Sequence, residues 1–302
     1  MTPVSRSCAT TAKTATLSEA PRFGIAVADR DIATGTDDSG IAIARRVDAS
    51  SVDSLWTNET GGADAFVTLG AWAAVTDRVR LATGVVPLAA RATRTLALAA
   101  SQVSQLSSGR FMLGIGVGQR GMAENHYERQ WRPPLEWVRD AIAAFGEEAA
   151  GARIGAGYRV LVGALGPKML ALGATAAEGA LLNWTTVESQ RVARAEFDRT
   201  AAAAGRDPES LTLAGYVRVA VGPDAESALS KQSRFYSSMP FYREAWQAMG
   251  DPADDAVALA SPDGRDLRER LLAWDALDVA VARIVPTPEF PVERVVDILC
   301  DE

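Results

Sequence analysis

Short apolar segments rich in β-branched residues alternate with longer segments of helical periodicity along the chain. The apolar segments contain few polar positions, which is typical of strands buried on both faces of a parallel sheet. In the longer segments, such as TRTLALAASQVSQLSSG at 93–109, apolar residues recur every three to four positions. The strand candidates are FGIAVA from Phe23, SLW from Ser54, VRLATGVV from Val79, FMLGIGV from Phe111, YRVLVGAL from Tyr158, GALLNW from Gly179, LTLAGYVRVAV from Leu211 and VAVARIV from Val279.

This alternation predicts an α/β fold whose parallel strands are joined by helical crossovers. Eight strand–helix units favour a closed (β/α)8 TIM barrel, with an open doubly wound sheet as the alternative. We predict one barrel domain over residues 21–302 and a disordered arm over the Ser/Thr/Ala-rich residues 1–20. Further helices are predicted at 63–76, 135–148 and 187–204, and a helical insertion before the last strand at 236–255.

Composition narrows the function classes. The chain has 302 residues and a net charge of −7, so a nucleic-acid partner gains no electrostatic support. No apolar run reaches the roughly 18 residues that span a bilayer, and the N-terminus has no apolar stretch of the signal-peptide type. We therefore expect a cytoplasmic protein with a small-molecule substrate and no membrane partner.

Several classes of catalytic site are also poorly supported. The two cysteines, Cys8 and Cys300, lie near opposite ends, and His126 is the single histidine. This set supports neither a disulfide framework nor a zinc site, so we expect no metal. Serine hydrolysis is poorly supported because the sequence contains no G-x-S-x-G motif.

The segment SSGRFMLGIGVGQRG at 107–121 fits G-x-G-x-x-G at Gly116, Gly118 and Gly121. A dinucleotide fingerprint follows the first strand and opens an apolar-faced helix, whereas these glycines follow the fourth strand candidate and precede a polar segment. We interpret the match as accidental. Glycines at alternate positions of a strand end indicate either close approach of a ligand or tight packing inside the barrel.

A second candidate site is GALGPKML at 163–170, where a strand ends at Leu165 and Gly166–Pro167 start a helix. The free N–H groups of that helix, with Lys168 beside them, could hold a phosphate, and the alternative is an ordinary turn with a solvated lysine. Both loops follow C-terminal strand ends, the rim where barrel enzymes place their active sites. WTNE at 56–59, TGV at 83–85 and NW at 183–184 are assigned to the same rim.

The stretches VRLATGVVP, LSSGRFMLGIGVG and LGPKMLALGATAAEGALLNW resemble the luciferase-like flavin monooxygenase family, in particular its branch that uses deazaflavin F420. The resemblance runs from about Phe23 to the C-terminus and is specific at 79–121 and 161–184. It implies a modified (β/α)8 barrel with a flavin or deazaflavin at the C-terminal rim. The implied cofactor-binding residues are Thr83, Gly84, Val85, Gly116, Gly118, Leu165, Gly166, Pro167 and Lys168.

By this resemblance, Thr83–Val85 form a bulge beneath the flavin ring, with a non-prolyl cis peptide at Gly84–Val85. The glycines of the 116–118 segment line the wall near the ring, and the 165–168 turn holds the phosphate. Relatives often have a polar residue where this chain has WTNET, and an acid where it has Gln119. The connection from Phe145 to Tyr158 is also shorter than usual, so part of the substrate-covering loop is missing.

Hydride transfer needs orientation and a proton source from the protein, since the cofactor carries the reaction. Glu59 is the rim acid we select, because desolvation near Trp56 would raise its pKa, with an exposed loop glutamate as the alternative. His126 is a second proton-transfer candidate, with a solvated loop histidine as its alternative. The candidate substrate-binding residues are Trp56, Gln119 and Trp184. The two tryptophans are chosen because aromatic rings stack on flat ligands.

We therefore expect an F420-dependent oxidoreductase that moves a hydride between F420 and a small or medium organic substrate. The alternatives are an FMN-dependent luciferase-like monooxygenase and a non-catalytic flavin-binding barrel. We also expect a homodimer. The aromatic residues of 235–246 indicate an insertion packed over the barrel or a dimer surface.

Overall fold

Eight parallel strands close into a barrel in the computed structural model, which describes residues 21–34, 39–151 and 157–301. The barrel order is β1-β2-β3-β5-β6-β7-β8-β10, and β10 pairs with both β8 and β1. The predicted (β/α)8 barrel is therefore confirmed. The strands are β1 (Arg22–Ala26), β2 (Ser54–Thr57), β3 (Arg80–Thr83), β4 (Val86–Pro87), β5 (Phe111–Gly116), β6 (Arg159–Ala164), β7 (Gly179–Asn183), β8 (Thr212–Val221), β9 (Ala258–Ser261) and β10 (Val279–Ile284).

Helices surround this barrel, and those predicted from periodicity are present with ends shifted by a few residues. Capping explains one such shift: the Asp64 side chain accepts hydrogen bonds from the backbone N–H groups of Phe66 and Val67, so that helix starts at Ala65. The helices are α1 (Asp29–Thr34), α2 (Ser39–Asp48), α3 (Ala65–Ala73), α4 (Thr93–Leu106), α5 (Arg120–Asn125), α6 (Pro134–Gly151), α7 (Pro167–Ala176), α8 (Val187–Ala203), α9 (Ala225–Ser237), α10 (Pro240–Ala248), α11 (Asp254–Val257), α12 (Leu267–Leu271) and α13 (Val292–Asp301).

The barrel interior is packed by a cluster of side chains from alternate strand positions. Residues two apart on a strand face the same side. Counting two positions on from the interior residues Leu181, Tyr216 and Val281, the next inward positions towards the C-terminal mouth are therefore Asn183, Arg218 and Arg283. The larger core lies between the strands and the outer helices. The interior cluster contains Ala26, Trp56, Ala82, Met112, Leu161, Leu181, Ala214, Tyr216, Val279 and Val281.

The helical insertion predicted at 236–255 is present as α10 and the start of α11, and the observed insertion is longer, since it begins with α9 at Ala225. It also contains β9, which pairs with β8 and which the pattern missed because ALAS is too short to show a period. The insertion packs Trp246 and other apolar side chains against Trp184, so it covers the barrel rim. Phe235 and Phe241 stay 62% and 51% exposed, and the homodimer remains a prediction.

Two predictions concern residues outside the described ranges. The N-terminal arm, residues 1–20, lies wholly outside them, as do residues 152–156 of the short connection before β6. Within the described part of the chain, no helix is both long and apolar enough to cross a membrane. The same part contains no group of three or more His, Cys, Asp or Glu side chains placed to hold a metal ion.

Candidate active site at the barrel mouth

A cis peptide bond joins Gly84 and Val85 at the C-terminal end of β3, where the family resemblance places it. The Gly84 N–H donates to the Thr57 carbonyl (2.7 Å), and the Val85 carbonyl accepts from the Glu59 N–H (3.2 Å). On the other side, the Thr83 hydroxyl donates to the Gly114 carbonyl of β5 (2.9 Å) and accepts from the Gly114 N–H (2.8 Å). The bulge is thus held between β2 and β5.

The alternating glycines of β5 make room for this bulge. A Cβ atom at Gly114 would collide with the Thr83 carbonyl, and one at Gly116 would lie 2.8 Å from Val85 Cγ2. Gly118 has a φ of +67°, a left-handed conformation that favours glycine. Packing against the bulge therefore explains Gly114 and Gly116, as the tight-packing interpretation proposed, and the roles of Gly116 and Gly118 towards a cofactor remain predictions.

Tyr216 places a buried hydroxyl directly against the bulge. A Cβ atom at Gly84 would collide with Tyr216 Oη, and the Tyr216 ring meets Trp56 edge to face at 6.0 Å. Burial raises the pKa of Tyr216, so the phenol is a neutral O–H donor at physiological pH. Among the described residues, Oη has no hydrogen-bond partner. A buried donor without an acceptor is costly, so a ligand acceptor here would be stabilised.

Arg218 and Arg283 occupy adjacent inward positions on β8 and β10, where their Cα atoms are register partners. Arg218 Nη1 donates to Asn183 Oδ1, and the guanidinium lies over the Trp184 ring, 4.3 Å from its centroid. Asn183 Nδ2 in turn donates to Tyr242 Oη on α10 (3.0 Å). The mouth is therefore basic and has aromatic walls.

A chain of hydrogen bonds connects Arg283 to the loops after β1 and β2. Arg283 Nη2 donates to Asn58 Oδ1 (2.9 Å), and Asn58 Nδ2 donates to Asp29 Oδ1 (3.0 Å). Asp29 Oδ2 accepts from the backbone N–H groups of Thr60 (2.6 Å) and Gly62 (2.9 Å). Asp29 thereby organises the 58–62 loop, and three rim segments are fixed relative to one another.

Glu59 is buried, at 8% exposure, so the exposed-loop alternative is wrong. Both of its carboxylate oxygens have structural partners. Oε1 accepts from Arg91 Nη1 (2.6 Å), and Oε2 accepts from the Ala65 N–H at the start of α3 (3.2 Å). Its role in proton transfer remains a prediction, and the structure adds a scaffold role.

His126 is exposed at the C-terminal end of α5, and its ring packs edge to face on Tyr127 (4.8 Å). A Cβ atom at Gly61 would lie 3.7 Å from His126 Nε2. The loop after β5 therefore meets the loop that contains Glu59, which brings the two proton-transfer candidates to one side of the mouth. A catalytic role for His126 remains a prediction.

The three predicted substrate-binding residues differ in position. Trp56 lies within β2, as the strand candidate SLW predicted, but not at the rim: its ring is 0% exposed inside the barrel, and Nε1 donates to Ser54 Oγ (2.9 Å). Gln119, at the start of α5, contacts the sulfur of Met239 between α9 and α10. Trp184 follows β7 as predicted, but the insertion buries it.

The predicted phosphate turn lies at the start of α7. Gly166 is the exposed N-cap residue and Pro167 follows in the first turn, whereas Leu165 is half-buried and Lys168 is exposed. No side chain caps this helix, and a Cβ atom at Gly166 would meet nothing within 4 Å. By contrast, the Thr186 side chain caps α8. The turn is thus open to a ligand, and its role as a phosphate site stays a prediction.

Tyr216, Arg218 and Arg283 were not found by sequence reasoning, although a signal was present. Arg218 is the only charged residue in the ten-residue strand TLAGYVRVAV, and Arg283 is the only one in VAVARI. Charged residues are rarely buried unless paired or functional. A single charged residue in an otherwise apolar barrel strand therefore indicates a side chain that lines the mouth of the barrel.

Comparison with known proteins identifies relatives of this chain. Residues 23–298 match the family model described as luciferase-like monooxygenase. The 5,10-methylenetetrahydromethanopterin reductase of Methanolobus tindarius is 27% identical over 205 residues, which cover 62% of this chain and 63% of the reductase. A putative coenzyme F420-dependent oxidoreductase of Mycobacterium tuberculosis is 39% identical over 90 residues, or 30% of this chain and 26% of that protein. Each match spans less than two thirds of the relative's length.

Solved structures share the fold at low sequence identity. An F420-dependent secondary alcohol dehydrogenase in complex with an F420–acetone adduct superposes with a TM-score of 0.74 at 13% identity, covering 94% of this chain and 98% of that one. The oxygenating constituent of 3,6-diketocamphane monooxygenase from Pseudomonas putida, in complex with FMN, has a TM-score of 0.66 at 14% identity, with coverage of 94% and 98%. These likenesses concern the fold alone.

Proposed function

The chain belongs to the luciferase-like monooxygenase family, and we propose that within this family it is an F420-dependent oxidoreductase. It would transfer a hydride between F420 and a small or medium organic substrate. The sequence relatives support this assignment, since one is named as a putative coenzyme F420-dependent oxidoreductase. The choice between F420 and FMN then rests on a binding measurement, because the solved structures that share this fold include a complex with each.

The observation that carries the proposal is the unpartnered Tyr216 hydroxyl beside the Gly84–Val85 bulge. A neutral phenol buried in the barrel just below the mouth requires an acceptor. The ring nitrogens and carbonyl oxygens of a flavin or deazaflavin are such acceptors, and they lie on a flat body that suits a mouth with aromatic walls. The residues present therefore fit this class of cofactor.

Other residues would hold the remainder of the cofactor. Thr83–Val85 would support one face of the ring, and the segment Gly116–Gly118 would line its side. The uncapped N-terminus of α7, with Gly166 open to approach and Lys168 exposed, suits the phosphate, because a helix N-terminus presents N–H groups and a positive dipole end.

Bound F420 supplies hydride chemistry, and the chain supplies orientation, exclusion of water and a proton. The insertion excludes water, because Tyr236 and Trp246 cover Trp184 at ring distances of 5.3 and 5.4 Å. Glu59 and His126 are the proposed proton-transfer groups. His126 is exposed and can exchange a proton with solvent, whereas buried Glu59 is held by Arg91.

Titration of the purified protein with F420, and separately with FMN, tests this function. Trp184 lies at the mouth and Trp56 just below it, so binding of either ring should quench tryptophan fluorescence. Tight binding of F420 alone supports the proposal. Preference for FMN, with oxygen consumption by the reduced complex, would instead assign the chain to the monooxygenases. Binding of neither cofactor would favour a non-catalytic barrel.

A further inference from the structure

We propose that Arg218, assisted by Arg283, binds the carboxylate of an organic substrate at the barrel mouth. This inference rests on the proposed function in one respect, since it names the substrate class that the oxidoreductase would accept. Its physical basis is a buried guanidinium whose charge has no counter-ion in the described part of the chain. The flat rings that surround this guanidinium also suit the apolar body of such a substrate.

Arg218 is 3% exposed, yet within the described residues no carboxylate lies within ion-pair distance of it. Its one side-chain hydrogen bond is the donation from Nη1 to Asn183 Oδ1, and its Nε atom is buried without a partner. A buried charge is costly unless it is paired and hydrogen-bonded. Asn183 offers a neutral oxygen only, so the positive charge of Arg218 is left uncompensated.

The neighbouring charge increases the demand for an anion. Arg283 faces the same mouth from the adjacent strand and has the same sign; it interacts electrostatically with Asp31, so Arg218 is the member of the pair without a described counter-ion. Burial lowers the pKa of Arg218, and the proximity of Arg283 acts in the same direction. A guanidinium nevertheless stays protonated in proteins, so both residues keep their charge. An oxyanion between them would convert a repulsion into two charge-assisted contacts.

The surroundings select a carboxylate on a flat or apolar body. The Arg218 guanidinium lies 4.3 Å from the centroid of Trp184, 5.2 Å from Tyr236 and 5.9 Å from Tyr216. These rings come from the loop after β7, from α9 and from β8, so they wall the guanidinium on several sides. The planar fork of arginine matches a carboxylate, and flat aromatic walls favour a flat substrate body.

Benzoate and benzamide are suitable probes, because they share shape and differ in charge. Their binding to the cofactor-free full chain should be measured by calorimetry at one ionic strength. We expect benzoate to bind at least about tenfold more tightly than benzamide, and we expect Arg218→Met to remove that preference. Arg265→Met is the matched control, since Arg265 is 87% exposed and lies on the surface. Equal affinity for the two probes in the wild-type protein would overturn the proposal.

A second variant supplies the missing counter-ion without disturbing the packing. Asn183→Asp places a carboxylate where the amide oxygen already accepts from Arg218. We expect this variant to fold and to lose the preference for benzoate, because the internal carboxylate takes the place of the ligand. Asn125→Asp, which makes the same charge change at an exposed position, should retain it. Unchanged benzoate binding by Asn183→Asp would count against the site.

The bound oxyanion could come from the substrate or from the cofactor itself, and competition separates the two sources. If benzoate still binds when F420 is saturating, the site belongs to the substrate. If the two exclude each other, the site belongs to the cofactor and the substrate assignment is overturned. Failure of F420 to bind would reject the proposed function alone, while the comparison of benzoate with benzamide would still decide the anion site.

Discussion

Arg91 Nη1 lies 2.6 Å from Glu59 Oε1, and this ion pair is largely buried at the rim of the barrel. Arg91 also pairs with Asp64, the residue that caps α3. The Glu59 backbone N–H meanwhile donates to the Val85 carbonyl of the bulge. Glu59 therefore connects the start of α3 to the floor of the proposed cofactor site.

Glu59→Gln should destabilise the fold by about 1–3 kcal/mol, because the Arg91 charge loses one of its two carboxylate partners in a partly desolvated position. Urea unfolding measures this change. The control is Glu124→Gln, whose ion pair with Arg120 is exposed and should contribute roughly 0.5 kcal/mol or less. If both variants unfold alike, Glu59 lacks the scaffold role. A loss of turnover with unchanged cofactor affinity would additionally support proton transfer by Glu59.

Gly116→Ala should destabilise the protein by about 1–3 kcal/mol and weaken cofactor binding, because the new Cβ atom would lie 2.8 Å from Val85 Cγ2 and push on the bulge. Combining it with Val85→Ala should restore part of the lost stability, since Cγ2 is then absent. A double-mutant cycle measures this coupling. Strict additivity would show that Gly116 and the bulge do not interact.

Gly166→Trp should weaken F420 binding at least about tenfold while leaving stability nearly unchanged, because the indole would occupy the open space before α7 where the phosphate is expected. Gly146→Trp is the matched control, since a side chain there also meets nothing within 4 Å but lies on α6. Fluorescence titration provides the measurement. Wild-type affinity in Gly166→Trp would reject the phosphate assignment.

Two arginine variants should differ in how much they destabilise the fold. Arg91→Met should cost about 2–4 kcal/mol because it leaves Glu59 unpaired. Arg218→Met should change stability by about 1 kcal/mol or less, or raise it, since it removes a buried charge that has no described counter-ion. Thermal and urea unfolding of both variants give the comparison. A strongly destabilised Arg218→Met would indicate that the charge is compensated within the fold.

The local pattern was sufficient for the strands and helices that carry their own periodicity, and it failed where an element is short or a strand end is ambiguous. The four residues of β9 are too few to show a period, and they form a strand only because they pair with β8. Trp56 was assigned to the rim because it stands at the C-terminal end of the strand candidate SLW, but its register places the ring inside the barrel.

The sequence by itself determined the strand–helix alternation, and with it the rim where the loops after the strands converge, because parallel strands joined by helices must all end on one face. Only the tertiary structure decided which side chains meet at that rim. Arg283 reaches Asn58 across 225 positions, and Gln119 reaches Met239 across 120. Such contacts depend on barrel closure and on the insertion folding back over the mouth, which no local periodicity records.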